Sequence, residues 1–227
     1  MVKFDRILIN YIRVTMDENL KQFNLKNLSL AAKALKANGF ETEVFEDSKA
    51  AANNILENVG SDKTLGFGGS MTVDALNLRE ILSAAGNKII KPEPGISKDE
   101  KIKIWLKAQN ADFYFASPQA ITSKGEMIFI DANGNRGAAV IYGPKKIILI
   151  AGYNKLVKNL DDGLWRARNI SAIKNNIRLK KDNPCVKTGK CQDCSSASRI
   201  CNVTTILSKK PWMSDYKIIL VNEELGY

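Results

Sequence analysis

Four cysteines fall within 17 residues of a 227-residue chain that contains no histidine. Their frame is Pro184, Cys185, five residues, Cys191, two residues, Cys194, six residues and Cys201. Four thiolates suit tetrahedral zinc or an iron–sulfur cluster. The spacing matches neither a pair of Cys-x2-Cys zinc knuckles nor the bacterial ferredoxin run. A metal or cluster site at Cys185, Cys191, Cys194 and Cys201, a redox dithiol and a loop without cofactor therefore all stay open. Lys187, Lys190 and Arg199 stand among the thiols and favour thiolates. The lack of histidine removes the commonest general base and metal ligand. It also excludes Ser-His and Cys-His nucleophile machinery. Carboxylates, Lys, Tyr, Cys, backbone amides or a bound cofactor must carry any chemistry.

A second candidate is the run Gly66-Phe67-Gly68-Gly69-Ser70-Met71-Thr72. Glycines let a backbone turn sharply and approach a ligand closely. Free N–H groups and a positive dipole at a following helix would then favour an anion. Gly66, Gly68, Gly69, Ser70 and Thr72 are the expected contacts. The run is not a dinucleotide fingerprint, because Met71 stands where the third glycine belongs and no acidic residue follows about 20 positions on. It lacks the Gly-Lys-Ser/Thr of a Walker loop. A strand-to-helix turn without a ligand is the competing reading.

Three polar loops form the third candidate: residues 117–125, residues 131–137 and residues 152–155. Asn135, Arg136, Asn154 and Lys155 are the expected ligand contacts there, with Arg136 and Lys155 as anion clamps. An ordinary hairpin turn at Asn133-Gly134 and a solvated Lys155 are the alternatives.

These loops need elements to hold them. Leu28, Ala31, Ala32 and Leu35 recur at helical spacing before Gly39. Phe40 to Phe45 and Lys63 to Phe67 read as strands, and Ser48 as the N-cap of a helix through Val59. Ser70 caps a further helix with apolar face Leu78, Ile81, Leu82 and Ala85. Asn87 to Ile90 is strand-like, and Lys98 to Gln109 is helical with Ile102, Trp105 and Leu106 inward. Strands follow at Asp112 to Ala116, Glu126 to Asp131, Ala138 to Tyr142 and Lys145 to Ala151. The last is almost wholly aliphatic, as a strand covered on both faces should be. Asp161 to Lys174 predicts a helix; Val203 to Leu207 and Tyr216 to Asn222 predict strands. Helices alternating with buried strands imply an α/β fold with a mixed, mainly parallel sheet. Residues 126–151 leave no room for helices between their strands, so part of the sheet is expected to be antiparallel. Length suits one domain over residues 1–227, with a cysteine loop at 183–202.

Charge is uneven. There are 34 basic and 24 acidic residues, a net +10. Residues 155–210 hold 13 basic and four acidic side chains. Such a window suits anionic partners. Lysines outnumber arginines 26 to 8, which argues against nucleic acid as the partner, because base reading favours Arg. Asp5 and Arg6 interrupt the apolar core that a signal peptide needs. Residues 147–152, the most apolar run, fall far short of the roughly 18 residues of a membrane span. A cytoplasmic protein is expected.

Taken together, Gly66 to Thr72, Gln119-Ala120-Ile121-Thr122, Asp131 to Arg136, Tyr142-Gly143-Pro144, Gly152 to Lys155, Pro184 to Asn202 and Leu225-Gly226-Tyr227 resemble the lactate-utilisation (LUD) domain family. Gln119 stands where the family motif usually carries Asn. The resemblance implies a NagB/RpiA/CoA-transferase-like α/β fold, in which the glycine loop holds phosphate or acyl-CoA groups. It also implies a subunit of an L-lactate or related hydroxyacid oxidation system, working beside iron–sulfur oxidoreductase subunits. The cysteines would then bind a cluster or zinc, or dock to such a partner. The fold also admits a stand-alone isomerase or acyl/CoA transferase with Glu126 or Asp131 as base or nucleophile. A non-catalytic regulator that binds a small anionic ligand is the third reading.

Overall fold

The structure, a computed structural model, describes residues 17–227 apart from residue 94. Met1 to Asn10, which bear on the signal-peptide question, lie outside the described residues. Six strands form one wholly parallel sheet: β1 (Glu41–Phe45), β2 (Thr64–Phe67), β3 (Lys88–Ile90), β4 (Phe113–Ala116), β7 (Lys146–Gly152) and β10 (Asp215–Val221). Their order is β1-β10-β7-β4-β2-β3. Between β2 and β4 the chain reverses its direction of travel across the sheet, since β3 lies on one flank of β2 and every later strand on the other.

Strand β7 shows why the sheet is central. Ile147, Leu149 and Ala151 pack into one hydrophobic cluster, and Ile148 and Ile150 into another on the opposite face. Side chains alternate along a strand, so only an unbroken aliphatic run can fill two covered faces. Helices α1 (Glu18–Ala37), α5 (Lys98–Gln109) and α6 (Asn135–Ile141) contribute to the first cluster. Helices α2 (Ser48–Val59), α3 (Met71–Ala75) and α4 (Leu78–Ala84) contribute to the second.

A second sheet has the order β8-β5-β6-β9. It consists of β5 (Ala120–Thr122), β6 (Met127–Asp131), β8 (Leu156–Val157) and β9 (Val203–Leu207). Strand β6 runs antiparallel to both β5 and β9. Met127 and Phe129 point into the main core, whereas Ile128 and Ile130 meet Ala167 on the other side. That side is closed by α7 (Leu160–Arg166), a π-helical turn (Ala167–Ser171) and α8 (Ala172–Arg178). The short helix α9 (Pro184–Thr188) begins the cysteine loop.

Four local expectations change. Residues 138–141, expected with Tyr142 as a strand, belong to helix α6. Arg136, Gly137, Ala139 and Val140 are its buried residues, a helical and not an alternating pattern. The antiparallel pairing expected nearby belongs to the second sheet. Asp47, not Ser48, caps α2, its carboxylate accepting from Ala50 N at 2.7 Å. The helix expected after Ser70 breaks into α3 and α4 at Asn77, whose φ of 50° is left-handed. In α5, Ile102 and Leu106 face solvent at 40% and 54% exposure, and Ala108 is the buried residue.

Candidate functional site

Ligands of open α/β sheets bind beyond the carboxyl ends of the strands, where the strand order reverses. A cavity of about 310 Å³ lies there. Gly69, Ser70 and Thr72 after β2 line it, with Ser117 and Gln119 after β4 and Asp131, Asn135 and Arg136 after β6. Lys155 reaches it from the 3-10 turn Tyr153–Lys155 that follows β7. Ala167, Ser171 and Ala172 close the far wall.

The glycine loop divides its labour. A Cβ on Gly66 would come within 2.7 Å of the Ala108 carbonyl and the Tyr114 ring, so this residue serves the packing of α5. A Cβ on Gly68 would stand 3.0 Å from Arg136 Cδ, so this glycine lets the arginine pass. Gly69 faces open space. Ser70 caps α3 by accepting from Val73 N at 3.3 Å. Of the three glycines, Gly69 alone lines the cavity.

Arg136 is buried and bound to Asp131, Nε to Oδ1, at 2.9 Å. Asp131 Oδ2 also accepts from Gly137 N at 3.1 Å. Arg136 Nη2 donates to the Ile130 carbonyl at 2.7 Å. The arginine expected as a free clamp is thus half of a neutral, fixed pair on the cavity wall. Lys155 differs. It is 1% exposed, and its Nζ donates to Thr72 Oγ1 at 2.7 Å and Ser117 Oγ at 2.6 Å. No carboxylate pairs with it among the described residues. Burial, and then the charges of Arg166 and Arg136, hold its pKa well below the usual lysine range. Arg166 is itself buried, donating to the carbonyls of Asn154 and Gln119 and to Ser171 Oγ. Glu224 offsets part of the Arg166 charge, whereas no carboxylate is paired with Lys155 among the described residues.

Asn154 and Glu126 lie elsewhere. Asn154 fastens the 223–227 segment, donating to the Gly226 carbonyl at 3.2 Å and accepting from Leu225 N at 3.2 Å. Gly152 allows this, since a Cβ there would sit 2.7 Å from Leu225 N. The same segment brings Tyr227 to the cavity wall. Glu126 sits in the β5–β6 turn and accepts from Thr122 Oγ1 at 2.9 Å. Sequence reading did not single out Ser171, Arg178, Ile200 or Tyr227 as lining residues. The Ala167–Ser171 turn leaves no compositional mark, although π-helical turns often sit at functional sites.

The cysteine loop packs against the same region, and Ile200 lines the cavity. All four thiols are free and half-buried. Among the described residues no three His, Cys, Asp or Glu side chains are grouped to hold a metal ion. Arg199 organises the loop, donating to the carbonyls of Cys194 and Cys201 and to Asp193. Ser196 hydrogen bonds and the Arg199 charge pull the Cys194 pKa down, whereas burial pushes Cys185 and Cys201 up. The thiolate is the nucleophile, so iodoacetamide near pH 8 should label Cys194 before Cys185 and Cys201. Peptide mass spectrometry over time reads the order; earlier labelling of Cys201 would show that Ser196 and Arg199 do not set it.

No helix among the described residues is long and apolar enough to cross a membrane. Residues 28–221 match the model of the LUD domain family. Among solved structures, that of a DUF162 family protein from Deinococcus radiodurans is similar, with a TM-score of 0.52 and 13% identity. The likeness covers 87% of this chain and 98% of that one and, at this identity, speaks for the fold alone. Curated proteins gave no match. With the family model spanning most of its length, the chain belongs to the LUD domain family.

Proposed function

We propose that this protein binds a small anionic molecule, of the size of a short hydroxy or oxo acid, as a cytoplasmic LUD-domain component of a hydroxyacid-oxidation system. One observation carries the reading: Lys155 is buried at the cavity with two hydroxyl partners and no counter-charge. Buried charges are paired in stable proteins unless something else offsets them. A bound carboxylate supplies the missing partner. At about 310 Å³ the cavity has room for a small-molecule anion. Arg178 lines the cavity, and Arg166, partly offset by Glu224, adds positive charge near Lys155.

Binding then couples to protonation. An anion beside Lys155 favours the ammonium form and raises a pKa that is depressed in the empty site. Anion affinity is full below the depressed pKa and falls as pH rises through it. Calorimetric titration with L-lactate tests this, with proton uptake on binding expected at pH values above the depressed pKa. Gly69→Leu is the accompanying variant. Gly69 lines the cavity and a Cβ there would meet no atom within 4 Å, so folding should survive. Affinity should drop at least about tenfold, or about 1.4 kcal/mol. A folded Gly69→Leu protein with wild-type affinity would move the ligand away from this cavity.

A further inference from the structure

We propose that Lys155 is a covalent nucleophile, whose amine forms an imine with a small carbonyl compound that also carries an anionic group, the class of the 2-oxo acids. The proposal rests on the anion-binding reading of the same cavity and adds a reaction to it. It follows from the hydrogen-bond network around Nζ. Thr72 Oγ1 donates its hydrogen to the Leu225 carbonyl at 3.1 Å. Ser117 Oγ donates its own to the Pro118 carbonyl at 3.3 Å. Each hydroxyl has one hydrogen, so both oxygens must accept from Lys155, at 2.7 and 2.6 Å. A neutral amine has two N–H groups and one lone pair. When Lys155 is in that form both hydrogens are used, the lone pair has no partner among the described residues, and the residue borders the cavity.

Three features keep that lone pair available. The side chain is shut off from water, no carboxylate holds it as an ammonium, and Arg136 and Arg166 oppose its protonation. Desolvation and a neighbouring cation are two ways in which proteins activate a lysine amine. Lys217 provides the internal contrast. It is equally buried, at 3% exposure, yet its Nζ pairs with Glu43 at 2.7 Å and Glu41 at 3.5 Å. Those carboxylates supply the counter-charges that Lys155 lacks.

The step balances without an oxidant or reductant. The Nζ lone pair forms a bond to the carbonyl carbon, and the carbonyl π pair moves to oxygen. Nζ loses a proton and the oxygen gains one, giving a carbinolamine. Protonation of that hydroxyl lets it leave as water, and the nitrogen loses its last hydrogen to give the imine. Arg178, which lines the same cavity, is a cation available to the anionic group of the substrate while its carbonyl meets Nζ.

The test incubates the full chain with pyruvate, reduces it with sodium borohydride and maps the product by peptide mass spectrometry. One adduct per chain is expected, on Lys155, saturating with pyruvate and suppressed by excess L-lactate, which has no carbonyl. Lys155→Met should carry none. Peptide mapping of the wild-type adduct decides the matter even if that variant fails to fold. Adducts scattered over surface lysines and unchanged in Lys155→Met would overturn the proposal. Equal calorimetric affinity for pyruvate and L-lactate with no trapped adduct would overturn the imine and leave the anion site standing. Binding of neither acid would overturn both.

Discussion

Lys155→Met is expected to melt roughly 4–8 °C above the wild type, a gain of about 2 kcal/mol, while losing affinity for small anions. The wild-type lysine penalises the empty fold in one of two ways. Either it stays charged in a dry site, or it gives up a proton that it would keep in the unfolded chain. Methionine fills a similar volume without either cost. Thr72 Oγ1 and Ser117 Oγ keep their own hydrogen bonds to the Leu225 and Pro118 carbonyls, so the substitution strands no donor. The sign of the pH dependence follows from the direction of the shift. The folded pKa lies below that of the unfolded chain, which is about 10.4. Between the two values the unfolded state binds more protons, so wild-type stability rises with pH there. The penalty is full below the folded pKa and gone above the unfolded one. The gap in Tm should therefore be widest below the folded pKa and narrow as pH rises toward the unfolded value. Differential scanning calorimetry across that range gives the answer. A variant that melts below the wild type at every pH would make Lys155 a structural tie and remove the main support for a ligand there.

Such a trade of stability for function left no mark in the sequence around Lys155. Gly152 to Lys155 was legible as a loop beyond a buried strand, and Lys155 as a cation suited to an anion. Its burial was not legible, because the cover comes from Thr72, Ser117 and Leu225, far apart in the chain. The main sheet was readable where one segment decides its own state. Strand β7 is aliphatic at every covered position, and Lys98–Gln109 carries a capping box between Ser97 and Glu100. Where tertiary contacts decide, the reading failed. Ala138 to Tyr142 is a short apolar run that fits strand or helix, and the left-handed Gly134 together with the Asp131 carboxylate on Gly137 N starts a helix. Ile102 and Leu106 suggested an inward face, but Gly66 draws α5 against the sheet at Ala108 and leaves both outside. The division into two sheets was hidden for the same reason: β9 pairs with β6 across more than 70 residues. Arg136, expected from the sequence as an anion clamp, lines the cavity, and its pairing with Asp131 was not legible.

That pairing leads to the other large expected effect. Asp131→Ala should lower stability by about 3–5 kcal/mol, the usual result of removing one partner of a buried ion pair. For a chain of this size that is a fall in Tm of roughly 6–20 °C. Two contacts vanish at once, the 2.9 Å bond to Arg136 Nε and the 3.1 Å bond from Gly137 N that starts α6. Arg136 would keep its bonds to the Ile130 and Ser117 carbonyls, so the guanidinium stays at the cavity with its charge exposed to it. An added anion should then bind at least as tightly as in the wild type and recover part of the lost Tm, by mass action on the folded state. Thermal melts with and without 50-fold excess L-lactate over its wild-type Kd would show a larger ligand-induced shift in Asp131→Ala. This pattern separates two roles for the residue. If Asp131 holds Arg136 and α6, stability falls and anion binding persists. A near-neutral change in Tm would instead free Asp131 from its structural duty and return it to consideration as a base facing the bound ligand.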